Sequence, residues 1–400
     1  MIRLFQNYIH TFSGLSREVW WLSLVTFINR SGTMVIPFLS LYLTEDLGLS
    51  IQQGAWVMSA FGLGSVVGTW VGGKLTDAFG FYKTMAVSLL LTGFLFISLQ
   101  FLKTFESICI GIFLTMFVAD AFRPAMFVAM STYSKPENKA RTVTLIRLSI
   151  NLGFSAGPAL GGLIITGIGY SGLFWVDGIT CILATLLLVK VLNPKVAKSL
   201  DVQVVENPKS IYNDRPFWIF FFAMCIFSIC FLQYFSTMPL YYRDVHILSK
   251  PEIGLLMGFN GFLIFLLEMP VIKWLEGSKY SKVGLVLFGA VLTGLSFLVL
   301  NMTNWSGILI VGMIFMTIGE MIAFPFSNAY ALDRSKGGKQ GEYMAFFAIT
   351  FSIGHILGHN LGMQMVDALG YDNTWYINTA LMGISSATLW WLMLKIKKNP

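Results

Sequence analysis

Six ionisable side chains interrupt otherwise apolar runs: Arg30, Asp120, Arg123, Arg147, Glu268 and Glu320. A charge at the centre of a membrane helix costs about 2.5–3.5 kcal/mol on insertion scales, so each needs a partner or a task. The chemistry open to such groups is proton exchange and recognition of charged solutes. Desolvation favours the neutral form of a carboxyl, and an approaching guanidinium or cationic solute favours the charged form. Glu320 is the best placed acid for trading a proton against a substrate; a permanently protonated core acid is the plainer alternative. Glu268, just before Met269 and Pro270, is a second proton-coupling candidate or a gate contact, and Asp120 a third. Asp120 and Arg123 are three apart and share a helix face. They form either a local ion pair, or a set in which Arg123 faces a cavity while Asp120 tethers Arg30 or Arg147. Arg147 and Asn151, four apart, share a face as well. Arg30, Arg123, Arg147, Asn151, Tyr234, Glu320, His355 and His359 make up the candidate substrate-binding set. Arginines opposite Glu320 would suit the two ends of a zwitterion. The His355/His359 spacing fits a metal, but no carboxylate or cysteine shares that local face, so no metal site is expected.

These groups must be held by helices in a bilayer. The 400 residues are 56% hydrophobic and 12% charged, far below the roughly 25% charged of soluble domains. A crossing takes about 20 apolar residues. Segments of that kind fall near 20–43, 52–75, 84–102, 107–133, 143–168, 173–192, 217–242, 252–275, 283–302, 306–331, 342–366 and 374–394. Twelve spans place both termini on one side. Of 27 Lys and Arg, Arg30, Arg123 and Arg147 lie deep in spans and Lys103, Arg243 and Lys250 on the expected outer face. The remaining basic residues put the termini and the 193–215 linker in the cytoplasm of a plasma-membrane protein. No signal peptide precedes the first span, and Met1–Tyr8 reads as a short internal leader. Trp20, Trp21, Trp375, Trp390 and Trp391 read as interface anchors.

Gly153, Gly157 and Gly161, at four-residue spacing, lie on one helix face where another helix can approach closely; Pro158 and Gly162 follow in the same stretch. Pro158 removes a backbone hydrogen bond and predicts a bend. The ladder recurs as 354/358/362, Pro37 is echoed by Pro239, Gly54 by Gly254, and Lys74-Leu-Thr-Asp77 by Lys273-Trp-Leu-Glu276. A repeat of about 200 residues predicts two six-helix bundles, 1–192 and 216–400, with a site at mid-membrane.

The segment Gly73-Lys-Leu-Thr-Asp77-Ala-Phe-Gly80-Phe-Tyr-Lys83 is similar to the loop 2–3 signature of the major facilitator superfamily, with Ala78 and Phe81 where basic residues are usual. The stretch Gly153–Gly162 resembles that superfamily's fifth-helix signature, which accompanies export by antiport in the twelve-helix drug/proton antiporters. Thr317–Glu320 with Pro325 and Gly341–Met344 resembles both multidrug antiporters and proton-dependent peptide transporters. Arg30-Ser-Gly32 with Leu41–Thr44 and Leu47–Ser50 resembles the peptide transporters, although Phe27-Ile28-Asn29 stands where they carry acids. The resemblance implies an all-α integral membrane protein of the major facilitator fold, working by alternating access. It implies that Asp77 locks the outward-facing state by docking near Gly341, so that Gly73, Asp77, Gly80, Lys83, Gly153, Gly157, Pro158, Gly161 and Gly162 form a conformational gate.

The leading expectation is proton-coupled export of small organic molecules by a monomer in the lipid bilayer. The rival is proton-coupled uptake of a zwitterionic or anionic solute such as a short peptide. A membrane-embedded enzyme or lipid-moving protein is a third reading, disfavoured because no catalytic cluster is visible. No phosphate-binding loop is present, so the proton gradient is the expected energy source, with no cofactor. Glycines 62, 64 and 68 are explained by close packing, the cysteines read as small core residues, and nothing points to nucleic acid.

Overall fold

The computed structural model describes residues 14–135, 138–194, 211–303, 305–335 and 340–398. The leader Met1–Tyr8 and residues 195–210 of the linker lie outside the described residues. Among the described residues, eleven helical stretches are long and apolar enough to cross a membrane. The last, Tyr343–Lys397, is two crossings joined at Gly370, whose φ of 79° is one that glycine adopts without strain. Twelve spans result. Spans 1 to 5 are Arg17–Asp46, Ile51–Phe79, Phe81–Leu99, Phe105–Tyr133 and Arg141–Ile168. Spans 6 to 10 are Ser171–Val191, Arg215–Phe235, Lys250–Leu275, Lys282–Leu300 and Ile308–Arg334; spans 11 and 12 flank Gly370. The helix of span 5 runs on through Pro158.

Hydrocarbon offers no water to backbone groups, so each crossing pairs them within its own helix. Ends are capped by side chains: Ser16 accepts from Val19 N–H, Asp214 from Phe217 N–H at 3.1 Å and Ser281 from Gly284 N–H at 3.1 Å. Trp70, Phe94, Phe127, Leu163, Phe222 and Phe288 are exposed, as suits side chains that meet lipid tails. Trp20, Trp390 and Trp391 are exposed near span ends as expected. Trp375 is not. It is fully buried against Phe297, Tyr241 and Tyr371, because the start of span 12 is packed inside the protein.

The chain clusters into two compact units. Unit 1 is Met1–Phe38, Ala60–Leu200 and Lys250–Phe262; unit 2 is Leu39–Ser59, Asp201–Ser249 and Leu263–Pro400. Unit 1 thus includes the first half of span 8, and unit 2 includes residues 39–59.

Within unit 1, the glycines of span 5 press against span 1. A Cβ on Gly153 would lie 2.5 Å from Arg30 Cβ, and Gly157 and Gly161 face Thr33 and Phe38. Gly162 and Pro158 of span 5 meet Lys250 and Gly254 of span 8. Gly64 and Gly68 lie against the backbone of Phe113 and Phe117, so close packing of span 2 on span 4 does explain that glycine run. Within unit 2 the same pattern returns. Gly354, Gly358 and Gly362 of span 11 press against Ser228, Ile229 and Gln233 of span 7. Span 5 on span 1 and span 11 on span 7 are therefore one packing used twice.

Gly358→Val should lower the stability of the purified protein by about 1–3 kcal/mol, the usual cost of overpacking, because a Cβ there would sit 2.6 Å from the Ile229 carbonyl oxygen. Gly383→Val, where nothing lies within 4 Å, should change it little. Thermal unfolding in detergent measures the difference, and equal midpoints would refute the packing assignment.

Candidate functional site

In unit 1 the candidate site is built around an interruption in span 1. Its first helix ends at Ser31 and a second begins at Val35, leaving Gly32–Met34 as a break inside the span. Arg30 stands one turn before that break. Its guanidinium lies 5.6 Å from the ring centroid of Phe154, and its buried Nε has no hydrogen-bond partner among the described residues. Gly153 leaves the room that places Arg30 against span 5.

The break is held from span 6 by Asp177, which sequence reasoning missed. Met34 N–H donates to its two carboxylate oxygens at 3.0 and 3.1 Å and also reaches Gly32 C=O at 2.9 Å; Val35 N–H donates to Oδ2 at 2.9 Å. The side chain is 1% exposed. Such N–H groups would otherwise be orphaned in hydrocarbon, and a carboxylate accepts them better than a neutral group does. The available sequence signal was an acid inside the apolar run 173–192.

Asp120 and Arg123 resolve into the local pair, Nη2 to Oδ1 at 3.0 Å, and Ser65 of span 2 donates to the other oxygen of Asp120. Asp120 sits where span 4 turns between two helices, Phe105–Asp120 and Phe122–Tyr133. Arg123 remains 47% exposed, so one face of its guanidinium is open while the acid is covered. Arg147 and Asn151 are half-buried one turn apart on span 5, as their spacing required. At the loop signature, Asp77 and Lys83 are exposed, and Gly80 adopts φ 84°, which explains the glycine there.

In unit 2 span 7 is interrupted at the related place. Its helix ends at Phe231, a tight turn covers Leu232–Phe235, and a new helix starts at Thr237. Asn378 of span 12 pairs with Gln233 across this break through two hydrogen bonds, at 2.6 and 3.0 Å. Ser236 lies 3.1 Å from His359 Nδ1. His359 is 1% exposed, while His355 lies on a π-helical turn, Gly354–Gly358, that re-aims span 11. Their rings are 5.7 Å apart, and among the described residues no third His, Cys, Asp or Glu joins them to hold a metal. Tyr234 is turned away from these histidines: its hydroxyl donates to Ser296 of span 9 at 2.7 Å and its ring packs on Phe297.

Glu320 is half-buried in the middle of span 10, after Gly319, which packs on Gly289 and Thr293 of span 9. One turn further, Phe324 packs against Phe231, Phe351 and Phe227 at centroid distances of 4.8, 5.3 and 5.8 Å. Glu268 is 4% exposed on span 8. Two further polar clusters had no signal in the sequence. Asp214 caps span 7 while accepting from Arg334 of span 10 and Tyr343 of span 11. Arg243 binds Asp244 at 2.5 Å and Thr44 at 2.8 Å, and Tyr371 donates to Asp244 at 2.6 Å. Burial pulls the pKa of Arg243 down most strongly, but the hydrogen bond and charge of Asp244 with the charges of Glu45 and Tyr371 together raise it.

Unit 1 supplies the buried acids Asp120 and Asp177 and a guanidinium whose Nε has no partner among the described residues, and unit 2 supplies Glu320, Glu268 and an aromatic wall. The sequence pattern of the Major Facilitator Superfamily matches residues 20–359 and again 247–400. The chain is 21% identical over 404 residues to a Na(+), Li(+), K(+)/H(+) antiporter of Planococcus maritimus, which covers 92% of this chain and 93% of that protein. It is 26% identical over 360 residues to the chloramphenicol resistance protein CraA of Acinetobacter baumannii, with 85% and 84% covered. The solved structure of a POT family transporter in complex with 5-aminolevulinic acid superposes with a TM-score of 0.79 at 14% identity over 96% of each chain, a likeness of fold. With its family pattern running through nearly every span and its helix contacts repeated in two sets, this chain belongs to the Major Facilitator Superfamily, as a multi-pass membrane transporter and not an enzyme.

Proposed function

We propose that this transporter exports small organic solutes in exchange for protons. The observation that carries the reading is Glu320, a half-buried carboxyl in mid-span with the aromatic wall at Phe324 one turn away. Aromatic faces and a carboxylate together suit an amphipathic cation. Proton and solute then compete for one carboxylate, which is the minimal chemistry of exchange. Relatives named as a cation/proton antiporter and as a chloramphenicol resistance protein support exchange and drug export. The basic loops support cytoplasmic termini in a plasma membrane. The protein works as a monomer, takes its energy from the proton gradient and needs no cofactor. Glu268 and Asp120 serve proton movement in second place, and Arg123, Arg147 and Asn151 serve solute recognition together with His355 and His359.

Proton-coupled uptake of an anionic or zwitterionic solute is the second reading. Arg30 favours it, because a guanidinium whose Nε is buried without a partner suits an incoming carboxylate.

Proteoliposomes with an imposed pH gradient separate the two. Export predicts that chloramphenicol or ethidium moves against the proton, and uptake predicts that a dipeptide moves with it. In Glu320→Gln, gradient-driven transport should fall by about 10²-fold, within the range for losing a proton-transferring group. Undiminished transport in that variant would remove Glu320 from the mechanism.

Asp77 acts as a conformational lock with the glycines of its loop and of span 5. A carboxylate near a helix N-terminus is worth about 0.3–1 kcal/mol, enough to bias two states without touching solute. Asp77→Asn should slow transport several-fold and leave solute affinity nearly unchanged, as read by rates beside equilibrium binding; loss of binding would contradict the lock.

A further inference from the structure

Among the described residues Asp177 is an acid only 1% exposed that takes its hydrogen bonds from backbone amides and has no ion-pair partner. The groups around it sharpen the question of why an acid is there. Counting by the repeat of about 200 residues, Asp177 of span 6 corresponds to Asn378 of span 12, and the break at Gly32–Met34 to the break before Thr237. In unit 2 the related position is a neutral amide, Asn378, which pairs with the side chain of Gln233. Unit 1 places a titratable carboxyl at the related point.

We propose that Asp177 is a second proton site, whose protonation releases the break in span 1 and so moves Arg30. This rests on the proton-coupled reading above. The carboxylate accepts from Met34 and Val35 and fixes the backbone immediately after Arg30. A proton on Oδ2 makes a hydroxyl of the oxygen that takes both amides, and a proton on Oδ1 leaves them one neutral and weaker acceptor, so the hold on the break loosens in either case. The break then shifts, and with it the guanidinium one turn earlier. Conversely, when the break rearranges during transport, the carboxylate loses its donors while it stays out of water, and taking up a proton is the way to remain buried. The titratable group facing it is Cys181, one turn along span 6, and Cys181 in turn faces Arg30 of span 1. Span 3 meets this part of span 6 through Gly93 and Ile97, and span 5 meets the break through Gly157, none of which titrates.

Two measurements test the idea. In the wild-type protein, in lipid nanodiscs without solute, hydrogen exchange at the Met34 and Val35 amides is followed against pH and corrected for intrinsic rates. Protection should fall as pH falls through a single midpoint, and that midpoint should be absent from Asp177→Asn. Protection that does not vary with pH would overturn the proposal whether or not any variant folds. In proteoliposomes, Asp177→Asn should lose about tenfold in gradient-driven transport, comparable to losing one charge-assisted hydrogen bond. Solute counterflow, which needs no net proton movement, should persist with a flattened pH profile, and Asp177→Glu should restore the coupling. A variant that only melts earlier, with its pH profile intact, makes Asp177 a structural cap and overturns the proposal. If wild-type vesicles show no gradient-driven transport yet the amides titrate, the export reading fails and the proton site stands.

Discussion

An amide N–H in hydrocarbon has no water to turn to, and the two interrupted helices of this protein are arranged around that constraint. Span 1 and span 7 each stop being helical in mid-crossing, which frees donors that something must satisfy. In unit 1 the freed N–H groups of Met34 and Val35 go to a carboxylate. In unit 2 a four-residue 3-10 turn, Leu232–Phe235, carries the chain across, Ser236 N–H donates to Gln233 C=O, and the Gln233 side chain pairs with Asn378 of span 12. The breaks come with cost and with use: a helix interrupted in mid-membrane is the part of a transporter whose backbone can be rearranged, and it points side chains such as Arg30 or His359's partner Ser236 toward positions that an unbroken helix would not reach.

The glycine ladders follow from the same geometry. A broken helix is weaker than a continuous one, so a neighbour packed tightly along it limits where it can go. Span 5 does this for span 1 and span 11 for span 7, with glycines at four-residue spacing in both. Because the atoms they meet are largely backbone, the fit leaves no slack for a side chain. The ladder glycines thus act by closeness, and the helix of span 5 continues through Pro158 beside them.

Much of this was legible because membrane constraints write themselves into composition and spacing. The span count followed from apolar length, and the repeated packing from Gly153/157/161 and Gly354/358/362. Asp120 and Arg123 were readable as a local pair because three residues place them on one face. Asp177 was not, since its partners are backbone atoms, and a main-chain amide has no letter in a sequence. Trp375 misled for a related reason: its place at a span end is that of an interface anchor, but Phe297, Tyr241 and Tyr371 cover it, and such coverage comes from residues 4 to 134 positions away. Tyr234 and Asn378 likewise became informative only when their partners, Ser296 and Gln233, were seen across helices.

The two halves share their packing but differ in their charge. Unit 1 carries Arg30, Arg123 and Arg147 with Asp120 and Asp177 inside its spans, and unit 2 carries acids and imidazoles with neutral amides at its break. Packing that is duplicated keeps two alternative arrangements close in energy, because what is lost on one side is regained by its counterpart on the other. On the proton-exchange reading proposed above, charge that is not duplicated removes that balance, and makes it depend on which carboxyl holds a proton and which guanidinium faces a solute. A fully symmetric set of ionic groups would respond to a proton equally in both states and would shift nothing, since a ligand biases an equilibrium only by the difference in its affinity for the two states. The asymmetry between Asp177 and Asn378 is therefore the kind of feature that lets a symmetric scaffold be driven.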